Sequence, residues 1–74
     1  MSAAASIVDG MNSLTLSDRL ALALRDAADL TNRGARHDAY SRAGVDFSFV
    51  TLSEIDAADQ TALGIELARR MERA

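Results

Sequence analysis

The sequence contains no cysteine and a single histidine, His37. There is no disulfide to staple a small domain and no thiolate to hold a metal. A structural zinc usually takes four Cys or His ligands, so no such site can be built from these residues. Lysine is also absent, so all eight bases are arginines, set against eleven acids for a net charge of −3. Most arginines sit beside acids, whereas neutralising phosphates takes a clustered basic face. The one concentration, Arg69-Arg70 with Arg73, reads as a solvated helix end where cations suit the dipole. No long apolar run and no basic leader precede the body of the chain, so neither a signal peptide nor a membrane span is expected. Aromatics number three, and all lie between Tyr40 and Phe49.

What is present is one small domain. A chain of 74 residues is long enough for one hydrophobic core and too short for two, and that core is thin. Residues 1–14 form an Ala- and Ser-rich extension broken at Asp9-Gly10. The extension is either mobile when the chain is alone or ordered against a partner through Ile7, Val8 and Met11. Residues 15–74 form the domain.

A first helix is expected after Thr15, which makes a capping-box pattern with Asp18. Leu16, Leu20, Leu24 and Ala27 recur on one face. The helix should end near Asn32 to Gly34, with Gly34 accepting a positive φ. A β-hairpin is expected next. Val45, Phe47 and Phe49 alternate with Asp46 and Ser48, Tyr40 belongs to the preceding strand, and Ala43-Gly44 supplies the turn. An isolated hairpin is unstable in water, so it should lie on the helices with Phe47 and Phe49 as anchors.

The last helix should start at Ser53 as N-cap, with Glu54 and Asp56 in its first turn. It carries two apolar stripes: Ile55, Ala58, Ala62 and Ile65 on one, Leu63, Leu67 and Met71 on the other. Asp59, Glu66 and Arg70 lie between them. Two stripes predict two contacts, one to the domain's own core and one to another chain. The expected core is Leu20, Leu24, Tyr40, Val45, Phe47, Phe49, Ile55 and Ile65. The expected fold is α+β: two antiparallel helices packed with a single β-hairpin in the order α-β-β-α.

The residues offer no catalytic set. Asp38 beside His37 would point to the opposite face of a strand, and no serine is marked by a glycine elbow or partner base. Acid pairs Asp26/Asp29 and Asp56/Asp59 read as solvated helix faces. There is no phosphate-binding glycine loop. Catalytic, metal and cofactor sites are therefore expected to be none. A small acidic scaffold with surplus apolar surface is the mark of an interaction module.

The segments LSDRLALALRDAADL, AYSRAGVDFSFVTLSEI and LARRMER, in that order, resemble the small phage head–tail joining proteins typified by the W protein of phage lambda. The similarity spans about Leu16 to Arg73. It rests on the glycine-containing basic linker NRGAR, on Tyr40, Gly44, Val45 and Phe47 of the expected hairpin, and on the helix start Thr51-Leu52-Ser53-Glu54-Ile55. The resemblance implies a non-enzymatic virion protein, assembled in the host cytoplasm, whose copies form a ring on the dodecameric portal. The ring would join the portal to the next neck or tail protein, with DNA passing through it and no cofactor. The sequence departs from the lambda-type pattern at both ends, since about fifteen residues precede the first helix and the last helix runs almost to Ala74. Residues 1–14 are accordingly expected to take over part of the portal contact. Candidate partner contacts are Ile7, Val8, Met11, Arg42, Leu63, Leu67 and Met71. The competing expectations are a small acidic inhibitor or regulator that binds a host protein, and, behind it, a small nucleic-acid-binding domain.

Overall fold

The computed structural model describes residues 14–73. The expected contacts Ile7, Val8 and Met11 lie outside the described residues. Three helices make up the fold: α1 (Leu16–Ala23), extended by a 3-10 turn over Leu24–Asp26, α2 (Arg33–Arg42) and α3 (Leu52–Arg73). No strand occurs among the described residues, which overturns the α+β expectation.

The start of α1 follows from its capping residues. The Thr15 hydroxyl accepts from the Asp18 amide at 3.1 Å, and the Asp18 carboxylate accepts from the Thr15 amide at 3.2 Å, so two of the free donors at the helix end are satisfied reciprocally. The helix does not continue to Asn32 as expected. After Asp26 the chain turns extended at Ala27, with ψ of 134°. The guanidinium of Arg70, arriving from α3, donates to the Leu24 carbonyl at 3.1 Å and lies 3.5 Å from that of Ala27. A group distant in sequence thus satisfies carbonyls at this helix end.

Local polar groups then restart the helix. Asp29 accepts from the amide and hydroxyl of Thr31 at 2.9 and 2.7 Å. Asn32 caps α2 by accepting from the Ala35 amide at 3.0 Å. Gly34, expected as a helix end, sits in the first turn of α2.

The expected hairpin turn is a helix terminus. Gly44 has φ of 75°; its amide donates to Ser41 at 3.1 Å, and the Val45 amide donates to Tyr40 at 3.1 Å. Those two bonds are the 5→2 and 6→1 pair of a Schellman motif, with glycine at C′. A hairpin turn and this cap both demand a positive φ, so the same Ala-Gly pair suits either. Tyr40 is therefore in the body of α2, not in a strand. The alternating Val45–Phe49 run is a short loop, closed by an Asx turn at Asp46–Ser48 and a bond from the Val50 amide to Phe47.

Helix α3 begins two residues earlier than expected. Its cap is Thr51, not Ser53: the Thr51 hydroxyl accepts from the Glu54 amide at 3.1 Å, and Glu54 reaches back to the Thr51 amide at 3.3 Å. At 22 residues α3 is roughly 33 Å long and supports the other two helices.

The core gathers Leu20, Leu24, Leu30, Tyr40 and the small residues Ala39, Ala58 and Ala62. Each fully buried leucine contributes on the order of 1.5–3 kcal/mol. Val45, Phe47 and Leu63 pack at its edge, and Ile55 is half-buried. Three expected core residues are not in it, Ile55 and the more exposed Phe49 and Ile65. Phe49 is 98% exposed and Ile65 is 42% exposed, because no second strand holds Phe49 inward and α3 turns a different face to the core. Nor are α1 and α3 antiparallel. Leu16 and Ser17 share a shallow hollow with Ala57, Ala58 and Thr61, while Leu24 meets Arg70, so the contacts advance in the same sense along both helices.

Candidate protein-docking surface

The face that α3 buries joins Ala58 and Ala62 of the first expected stripe to the polar arc beside it, Asp59 and Glu66. At 100° per residue, Ala62, Glu66, Asp59 and Arg70 fall within about 80° of one another around the axis. Asp59 is 2% exposed and Glu66 is 1% exposed. The first expected stripe is divided, with Ala58 and Ala62 buried and Ile65 exposed, while Leu67 and Met71 of the second lie outside the buried face. A polar group at the centre of a wide apolar arc is the signal that identifies such a face in sequence. Asp59 is accordingly not the solvated helix-face acid expected of it, whereas Asp56 is exposed.

Asp59 is held by α2. Arg36 donates to both carboxylate oxygens, Nε to Oδ1 at 3.0 Å and Nη2 to Oδ2 at 2.8 Å. Its remaining Nη1 donates to the Leu30 carbonyl at 2.8 Å. The Tyr40 hydroxyl donates to the same Oδ1. Arg36 and Tyr40 are four residues apart and so lie on one side of α2. The Arg36 guanidinium holds the Asp59 carboxyl below its ordinary range against the opposing cost of burial. Burial first, and then the bond to Asp59, pushes the Tyr40 phenol well above its own range. Around the phenol ring, His37 and Phe47 pack edge-on with centroids at 5.2 and 6.4 Å.

Glu66 is the second buried acid. Arg69 donates to it twice, at 2.7 and 2.6 Å, and Arg70 once, at 2.8 Å. The Arg69 bonds, with Arg70 behind them and burial opposing, lower its pKa to about 2. Arg69 and Arg70 are thus partly buried partners of Glu66, rather than the freely solvated helix end expected. Among the described residues every buried side-chain nitrogen and oxygen has a partner, so these clusters are structural ion pairs that fix helix positions.

Apart from Leu67 and Met71 on α3, the exposed large apolar side chains fall in two places. A groove of about 330 Å³ runs between α1 and α3, floored by Leu14, Ala21, Leu22 and Ile65. Its polar margin is formed by Asp18 and Arg25 on one wall and the Glu66–Arg69 pair on the other. At the opposite end of α3, Phe49 and Leu52 stand 98% and 77% exposed. Of the expected contact residues, Leu67 and Met71 are exposed on α3, while Leu63 packs against the core edge. Arg42 is exposed and paired with Asp38 at 3.0 Å. These residues do not converge on a single site, and the groove and the Phe49–Leu52 projection were not anticipated. Comparison with protein-family models, with curated proteins and with solved structures gave no match.

Proposed function

We propose that this protein is a non-catalytic interaction module that works by docking on other protein chains. The observation that carries this reading is the contrast between interior and surface. Buried polar groups are committed to one another, while Phe49, Leu52 and Met71, at 76% exposure or more, project into solvent. Side chains of this kind, with a polar surround, mark contact surfaces.

In its specific form we propose a virion adaptor of a tailed phage, with copies arranged in a ring on the portal and joined to the next neck or tail protein. The support is the sequence resemblance, from which the hairpin is now withdrawn. The segment Thr51-Leu52-Ser53-Glu54-Ile55 remains, and it does open the last helix. The test is the mass of the chain by light scattering, alone and mixed with the intact portal ring of the same phage or prophage. Many copies added per portal is the expected result. An unchanged portal mass would remove the adaptor role and direct attention to a host protein as target of an acidic regulator.

A further inference from the structure

We propose that the Phe49–Leu52 projection docks on a protein surface whose apolar patch is rimmed by arginine or lysine. This names the class of partner for the interaction-module reading and rests on that reading.

The projection is held out by its own loop. Phe47 turns inward and packs edge-on against Tyr40 with centroids at 6.4 Å, which anchors the loop to the core. Phe49, in the same loop, stands 98% exposed. The Asp46–Ser48 turn and the bond from the Val50 amide to Phe47 close the loop before it, and the Thr51–Glu54 capping box closes it after. A side chain carried on a fixed loop has less freedom to lose on binding. An aromatic ring brings about 150–250 Å² to a contact, enough to serve as its anchor. Phe49 and Leu52 form a knob and not a pocket, so nothing here encloses a small molecule, and the hollow belongs to the partner.

Charge selects that partner. Between Ala43 and Ala68 the sequence has five acids and no base. Asp56 is paired with Arg33, and Asp59 and Glu66 are buried in ion pairs. Asp46 and Glu54, which flank the projection, take part in no ion pair among the described residues. Bonds from the Ser48 hydroxyl and amide hold the Asp46 carboxyl below its ordinary range, so its charge persists. The arginines of α2 do not offset these acids, since Arg33 is paired with Asp56 and Arg42 with Asp38. Helix α1 begins at the same end, where Leu16 and Ser17 share a hollow with Val50 and Glu54, and the opposite charges of its Asp18 and Arg19 cancel. The rim of the projection is therefore acidic. Such a rim repels a nucleic acid or an anionic membrane surface and attracts a basic protein surface.

Chemical-shift mapping of the isotope-labelled full chain tests this. The probe is a synthetic amphipathic helix of leucine and lysine, and the control is a leucine–glutamate helix of equal length. The lysine helix should move the amide signals of residues 46–54, and the glutamate helix should not. Added salt should weaken the response. Phe49 is exposed, so Phe49→Ser should keep the wild-type circular dichroism, and it should weaken binding roughly tenfold or more. Asp46→Asn combined with Glu54→Gln keeps both local caps, because the amides accept the same bonds. That variant should bind more weakly and with little dependence on salt. Equal response to the two helices overturns the proposal. So does a response centred outside residues 46–54, binding that survives Phe49→Ser, or no response up to about millimolar probe. Addition to the portal separates this surface from the reading it rests on. Should the wild-type chain add to the portal while the lysine helix gives no response, the interaction module stands and this surface is lost. A response at residues 46–54 without portal addition keeps the surface and removes only the adaptor form. Absence of both removes the two together.

Discussion

Asp59 accepts three hydrogen bonds from two side chains of α2 and has no contact with bulk water to replace them. Its removal leaves the Arg36 guanidinium buried with a single carbonyl partner. Breaking a buried pair from one side costs about 3–5 kcal/mol, which is a large part of the total stability of a domain this small. We predict that Asp59→Ala lowers the unfolding free energy measured in urea by that amount, with a matching fall in the midpoint, or leaves the chain unfolded. The triple change Arg36→Met, Tyr40→Phe, Asp59→Leu should recover most of the loss, since apolar groups of similar volume need no partners. A urea midpoint unchanged by Asp59→Ala would show that the cluster does not support the fold. Of these residues the sequence placed only Tyr40 in the core, and it placed it on a strand. Arg36 and Tyr40 share a helix face only if the segment is helical, and Arg33–Arg42 contains too few apolar side chains to reveal a helical period.

Two glycines separate the element boundaries from the element interiors. Gly44 ends α2 with φ of 75° and has open space where a Cβ would point. Gly64 lies mid-helix in α3, also with open space. Gly44→Ala meets no clash but must hold an L-residue in the left-handed region, at a cost of roughly 1–2 kcal/mol. Gly64→Ala gains helix propensity and should stabilise by about 0.5–1 kcal/mol. Opposite shifts in melting temperature are thus expected from one kind of substitution. A destabilised Gly64→Ala would mean that another chain approaches α3 closely at that point. At this scale the sequence was readable where signals were local. The Thr15 capping box is present as read, whereas of the two acids read into the first turn of α3 only Glu54 lies there. The hairpin was not, because a positive-φ glycine followed by an alternating Val-Asp-Phe run fits a strand turn and a helix cap alike. What decides between them is the six residues before the glycine, and their helix depends on Asn32 capping it and Asp59 receiving it.

The molecule as a whole carries its two buried acids in a core too thin to isolate them from titration. Both Asp59 and Glu66 have folded pKa values below their ordinary 3.8 and 4.5. A lowered carboxyl pKa gives stability that is fully present above the ordinary value and is lost as pH falls towards the folded value. Stability should therefore be level from neutrality down to about pH 5 and should fall between there and about pH 2. Tyr40 has the opposite sign. Its raised pKa gives stability that is complete below about pH 10 and is lost as pH climbs above it. Since Tyr40 is the sole tyrosine, near-ultraviolet absorbance reads it without interference. Its ionisation should coincide with the loss of helix by circular dichroism, and a phenol that titrates normally while the helices persist would contradict its burial.

The sequence by itself determined the Thr15 start of the first helix, the long last helix and the place of Leu20, Leu24 and Tyr40 in the core. The helices and the two leucines are set by residues within one or two turns of one another, where capping bonds and apolar period act directly. The tertiary structure decided where the first helix ends, that a second helix replaces the hairpin, and which face of the last helix turns inward. Those outcomes depend on Arg70 reaching Leu24 and on Arg36 and Tyr40 reaching Asp59, pairs separated by 19 to 46 positions. Buried charges invert the rule that polar residues lie outside, and their partners become visible only when the chain has folded.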